Sequence, residues 1–185
     1  MFTYHTTETA PEKSQQLIAQ SQKSMGLVPN LHRILAEAPI TYEIYNSAFG
    51  LFMKESSFSP LEQQVVFMTA NYENNCHYCI PGHTWMMHHA NMPEEVIEAL
   101  REGNPLPDPK LQVLHEFTKN LLNDRGHIGN EKLESFLSAG YSKQQALEVL
   151  TGLAAKLISN FTNALAGTEP DDAFKQYSWT HPANR

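Results

Sequence analysis

Apolar residues recur three and four positions apart along this chain rather than two, and Pro, Gly and capping residues cut the pattern into helix-length pieces. That periodicity predicts an all-α protein. The first piece spans 11–25 and ends at Gly26. A second follows Pro29 and Asn30 as LHRILAEA, with Leu31, Ile34 and Leu35 on one face and Pro39 as its stop. A third, rich in aromatics, covers 40–53. Ser59-Pro60-Leu61-Glu62 gives the fourth a sharp start: an N-cap serine, proline at the first helical position, and glutamate three residues after the cap. It should run to Tyr72 or Glu73, where Asn74-Asn75 break it. A short helix carrying CHYCIPGHTWMMHHA follows to Ala90, with Pro81 tolerable only in its first turn. Further helices fit 93–103, 110–123, 130–139 and 142–165, and NPLPDP between the first two of these is a turn or short linker.

The last helix is the most apolar long segment. Leu147, Leu150, Leu153, Ala154, Leu157, Ile158 and Phe161 form a wide stripe, which places it at the centre of the domain or in an oligomer interface. Ser142 opens it much as Ser59 opens the fourth helix, and both helices later carry asparagines, a faint sign of two similar halves. From Gly167 the chain is polar apart from Phe174, Tyr177 and Trp179, which can anchor it on this subunit or a neighbour.

At 185 residues the chain is expected to form a single helical domain, with its core at about 20–172 and a C-terminal extension at 167–185. Such a length buries a sizeable core without a disulfide scaffold, so the two cysteines should serve another purpose. The formal charge is −7 and no stretch gathers Lys and Arg into a stripe, which argues against nucleic acid and anionic membranes as partners. The N-terminal stretch has no basic region followed by an apolar one, and no apolar run reaches about 18 residues, so a soluble, cytoplasmic protein is expected.

Chemistry concentrates in one place. Both cysteines form a Cys-x-x-Cys, Cys76 and Cys79, and His77, His83, His88 and His89 follow within a dozen residues. On a helix Cys79 and His83 are four apart and share a face, where an imidazole can take the thiol proton or stabilise the thiolate, and the helix N-terminus lowers the thiol pKa further. Cys79 is then the candidate nucleophile, Cys76 the resolving thiol, and the redox-active disulfide takes the place of any cofactor. Two other readings stay open: a pair of buried small residues with a satisfied core histidine, or a metal site using Cys76, Cys79, His83 and one of His88 or His89.

The segment SPLEQQVVFMTANYENNCHYCIPGH resembles the core of the carboxymuconolactone decarboxylase superfamily, in its alkylhydroperoxidase D and peroxidase-related branch. Its signature is an acidic residue, then Cys-x-x-Cys, then His four residues on. MGLVPNLHRILAEAP upstream and LISNFTNALAGTEPD downstream look like the same branch, so the resemblance covers about 20–172. It implies an alkylhydroperoxidase D-like helical bundle assembled as a trimer or hexamer, with the redox pair at the start of a helix near a subunit interface. It also implies that Cys79 is the peroxide-reactive residue, that Cys76 is its resolving partner, and that His83 belongs to a proton relay with a glutamate.

The glutamate does not match. Its usual position, 12 residues before the first cysteine, holds Gln64, and the nearest acid, Glu62, sits at the capping position on nearly the opposite side of the helix. Gln64 can orient His83 or a water but cannot accept a proton. Glu73, Glu116 and Glu148 are the other acids that could replace it. Tyr78 stands where some members carry a further relay histidine; it can shape the pocket, while His77 points outward. The expected function is a thiol-disulfide oxidoreductase with alkylhydroperoxidase-like activity, taking a hydroperoxide substrate and an unknown dithiol reductant. The alternative is a non-catalytic redox-sensing or interaction protein of the same fold. Retention of both cysteines argues against lactone decarboxylation, which does not use them.

Overall fold

A computed structural model describes residues 2–185. Its helices, in chain order, are α1 (Glu12–Met25), α2 (Asn30–Leu35), α3 (Pro39–Glu55), α4 (Pro60–Glu73), α5 (Cys79–His89), α6 (Glu94–Glu102), α7 (Pro109–Asn123), α8 (Gly129–Ser138) and α9 (Lys143–Ala166). Short 3₁₀ turns follow at Asp172–Tyr177 and Pro182–Asn184, and the described residues contain no strand. The all-α expectation holds, with most boundaries shifted by one or two residues. Among the described residues no helix is long and apolar enough to cross a membrane.

Helix α4 is the central element, because every residue from Gln63 to Asn71 is buried whichever way it points. Helices α7 and α9 pack along it, and α5 and α6 close the remaining sides. Its start is fixed as the sequence predicts. Ser59 Oγ accepts from the Glu62 N–H, and the Glu62 carboxylate accepts from the Ser59 N–H at 2.8 Å. The same reciprocal cap, made by Ser142 and Gln145, opens α9.

Helix α9 does not turn its whole apolar stripe into the domain. It packs on α3 and α4, but its inward face is Val149, Gly152, Leu153, Ala155, Lys156, Ser159, Asn160 and Asn163, mostly small or polar. The larger apolar residues Leu147, Leu150, Phe161 and Leu165 point outward. Gly152 explains the close approach: a Cβ there would meet Val66 Cγ1 at 2.9 Å and the Phe52 ring at 3.1 Å. Ile40, Ile44 and Leu51 on the neighbouring α3 are also exposed, and Leu51 shares a groove with Glu148 and Thr151 of α9. The two helices together therefore leave apolar residues unburied along one side.

Two groups of buried side chains fill the interior. The larger joins α3 to α9, with the Phe117, Phe136 and Tyr141 rings stacked at 4.0 and 4.5 Å between centroids. The smaller gathers Leu31, Leu35, Tyr42, Tyr45, Cys76, Tyr78, Cys79 and Phe174, and Phe49 packs against both. The C-terminal segment is anchored on its own chain. Phe174 meets the Tyr78 ring edge-on, Trp179 Nε1 donates to the Arg101 carbonyl at 2.8 Å, and Tyr177 stacks on His88.

Candidate active site

The short helix expected to carry both cysteines begins only at Cys79. Asn75 adopts a left-handed conformation (φ 49°), which asparagine tolerates better than most residues. The chain thereby reverses after α4, and the Cys76 N–H returns to the Asn71 carbonyl at 2.9 Å. Cys76 thus sits in the turn, and Cys79 opens α5 with one of the N–H groups that a first helical turn leaves free. That N–H points at Cys76 Sγ, 3.2 Å away. Pro81 falls in the first turn, where it removes no helical hydrogen bond. Both cysteines are free thiols, each 3% exposed.

Cys79 and His83 do share the inward face of α5. They do not bond to each other. The sulfur is met instead by two amides of α9, Asn160 Nδ2 at 3.0 Å and Asn163 Nδ2 at 3.3 Å. Asn160 is held from behind: its Oδ1 accepts from Asn74 Nδ2, and its Nδ2 also donates to Asn71 Oδ1, each at 2.9 Å. Turned over, the amide would reach the Lys156 and Ala70 carbonyls at 3.2 and 3.3 Å but would set oxygen against the Asn71 oxygen and the sulfur. A negative sulfur selects the first orientation.

His83 is saturated by two other partners. Lys156 Nζ lies 2.8 Å from Nε2, and Gln64 Oε1 lies 2.8 Å from Nδ1. An ammonium can only donate, so Nε2 accepts and Nδ1 carries the proton that it donates to Gln64. The ring is neutral, and burial, aided by the ammonium beside it, pushes its pKa well below the usual imidazole value. His83 therefore cannot act as the base that the sequence suggests for Cys79. It relays the position of Lys156.

These surroundings determine the ionisation of the pair. Burial alone would push the Cys79 thiol up. The hydrogen bond from Cys76, the Lys156 charge and the Asn163 and Asn160 amides outweigh it and bring the pKa down to about 6. The Cys76 thiol moves the opposite way, because it donates to the Cys79 sulfur and is itself buried. One thiolate and one thiol side by side are the electronic arrangement that a nucleophile and its resolving partner require.

Gln64 thus occupies the relay position and orients His83 as anticipated. Glu62 does not come near the site; its carboxylate serves the α4 cap and lies 3.7 Å from Lys110 Nζ. The other candidate acids are also engaged elsewhere: Glu73 with Lys119 and Asn123, Glu116 with Gln112, and Glu148 with Ser57. Tyr78 is buried, and its hydroxyl donates to the Asp171 carboxylate, which also accepts from the Asn30 N–H at the start of α2. Tyr78 therefore ties the C-terminal segment across the site. His77 is exposed, with Nε2 3.0 Å from the Thr168 carbonyl oxygen. His88 faces Glu94 and His89 the Trp85 carbonyl, so the tetrad considered for a metal is not assembled, and the described residues hold no other group of three potential ligands.

Lys156, Asn160 and Asn163 escape sequence reading. The one available signal was a lysine in the middle of the most apolar helix, LTGLAAKLISNF, where a charge is costly unless something uses it.

No family model and no curated protein matches the chain. Solved structures do. The alkylhydroperoxidase AhpD core of a peroxidase-related protein from Ralstonia eutropha JMP134 superposes with a TM-score of 0.82 at 19% identity, covering 94% of this chain and 93% of that one. A peroxidase-related protein from a Silicibacter species gives 0.72 at 19% identity over 89% and 87%. The debrominase Bmp8 gives 0.72 at 14% identity over 89% of each chain, and a variant of it bound to 2,3,4-tribromopyrrole gives the same score at 13%. The chain therefore has the alkylhydroperoxidase AhpD fold, a fold that also serves debromination.

Proposed function

We propose that this protein is a thiol-disulfide oxidoreductase that reduces hydroperoxides through Cys79 and Cys76, at the expense of a dithiol donor. The observation that carries the reading is the position of Cys79 Sγ, which takes two amide donors while Cys76 lies within reach as a thiol. The Cys79 thiolate attacks the terminal oxygen of the hydroperoxide, the O–O bond breaks, and an alcohol leaves as Cys79 becomes a sulfenic acid. The Cys76 thiol then attacks that sulfur, forming the disulfide and releasing water, and the external dithiol restores both thiols. In a Cys76→Ser variant treated with one equivalent of hydroperoxide, mass spectrometry is expected to find a dimedone adduct on Cys79. Oxidation no faster than that of a free thiol would overturn the reading.

The same proposal includes a homo-oligomer, a trimer or hexamer. Ile40, Ile44 and Leu51 of α3 and Leu147, Leu150, Phe161 and Leu165 of α9 are all exposed, and the two helices pack against each other. Light scattering is expected to give a multiple of the subunit mass, and Phe161→Glu is expected to lower it. A monomeric wild type would remove this part of the proposal.

A further inference from the structure

Lys156 is 1% exposed, and the only hydrogen-bond partner of its ammonium among the described residues is His83 Nε2. No ion pair among these residues includes it. Around it are His83 and Cys79 from α5, Cys76 from the turn before α5, and Phe67 from α4; the ammonium lies 5.3 Å from the centroid of the Phe67 ring. Of these groups only the two sulfurs can carry a negative charge, and in the reduced pair Cys79 holds it while Cys76 stays a thiol. A buried ammonium needs such a partner. It finds none in a disulfide.

We propose that Lys156 and Cys79 form one proton-linked pair: the ammonium is the counter-ion of the thiolate, and it gives up a proton when oxidation removes the negative charge. The inference rests on Cys79 being the oxidised nucleophile. With a hydroperoxide, the S–O bond forms, the O–O bond breaks, and the departing alkoxide gains the proton lost by Lys156. Formation of the S–S bond then expels hydroxide, which takes the Cys76 proton and leaves as water. Sulfur loses two electrons and the peroxide gains them, so the reduced protein with one ammonium becomes the oxidised protein with one amine, and no proton enters from solvent. Lys156 is in this sense a charge-balancing residue, held in place by His83 and Gln64. The arrangement replaces a carboxylate base with a cation that stores the proton.

The test uses full-length protein and has two arms that need no peroxide. In the first, the ultraviolet absorbance of the thiolate is followed against pH in wild type, Lys156→Met and Lys156→Arg, with helical content monitored by circular dichroism. Lys156→Met is expected to raise the midpoint by more than about one pH unit, and Lys156→Arg to keep it low. In the second, reduced wild type is oxidised by stoichiometric glutathione disulfide near pH 7 in weak buffer while proton uptake is recorded. Uptake is expected near zero per subunit. An unchanged midpoint in folded Lys156→Met, or about one proton taken up per wild-type subunit, overturns the inference. If both arms hold while Cys79 forms no sulfenic acid, the pair stands and the protein exchanges disulfides rather than reducing peroxides. If sulfenic acid forms but the midpoint ignores Lys156, the peroxide reading survives and this one does not.

Discussion

Cys79→Ser is expected to abolish hydroperoxide-dependent oxidation of a dithiol, a fall of about 10³-fold or more to the uncatalysed rate, because an alcohol at this position is not ionised at neutral pH. In the wild type, alkylation of Cys79 should rise about tenfold per pH unit up to about 6 and then level off. The direction follows from the pair: lowering the pH protonates the sulfur that reacts, and raising it past the midpoint adds nothing. A stopped-flow series with iodoacetamide on Cys76→Ser, where only one thiol remains, follows Cys79 alone. Serine keeps a donor for the Cys79 sulfur, whereas Cys76→Ala removes the Cys76 hydrogen bond, so the alanine variant's midpoint should lie above that of wild type. A profile still climbing past pH 9 in both proteins would contradict the arrangement of donors around the sulfur.

Ionisation alone does not make this thiolate fast. A free thiol with a pKa of about 8.5 is only a few per cent ionised at pH 7, so full ionisation gains about 30-fold. Lowering the pKa by about 2.5 units makes the thiolate a weaker nucleophile, and with a Brønsted slope of about 0.4–0.5 that costs about 10- to 18-fold. The net gain is about two- to threefold. Any larger acceleration has to come from elsewhere, and the Asn160 and Asn163 amides cannot supply it by holding the ground-state thiolate more tightly. A proton ready for the departing oxygen can, which is the role argued for Lys156.

The parts of the site that local sequence encodes were legible in it. Cys76, Cys79 and His83 lie within eight residues, and the four-residue interval between Cys79 and His83 needs only a helix to put both on one side. Gln64 was legible only through the family resemblance, which places a relay residue 12 positions before the first cysteine. What escaped depends on which side α9 turns inward. An apolar stripe is ordinarily the buried one, yet here Gly152, Ala155 and Ser159 let α9 approach α3 and α4 closely, and the same face delivers Lys156, Asn160 and Asn163. The expectation that His83 takes the thiol proton failed for the same reason. Lys156 occupies Nε2, and a side chain delivered by another helix is invisible to local spacing.

Phe67→Ala is expected to cost about 3–5 kcal/mol of stability, a large share of the roughly 5–15 kcal/mol that holds a typical domain folded. Phe67 is fully buried in the middle of α4, and four partners surround its ring. Phe49 is parallel to it at 5.2 Å, Phe52 lies at 4.9 Å, His83 presents an edge at 5.2 Å, and the Lys156 ammonium faces it at 5.3 Å. Removing the ring opens a cavity between the two groups of buried side chains, under the residues that hold the proton. Urea denaturation should show a lower midpoint at an unchanged slope, and a cost below about 1 kcal/mol would mean that the surrounding helices collapse into the space. Phe67→Leu separates packing from chemistry. It retains most of the volume and should cost less than about 1.5 kcal/mol, yet it removes the aromatic face toward Lys156. If that face helps to hold the ammonium, the thiolate midpoint of Phe67→Leu shifts upward while its stability stays close to wild type; if the midpoint is unmoved, the charge of Lys156 is held by His83 and Cys79 alone.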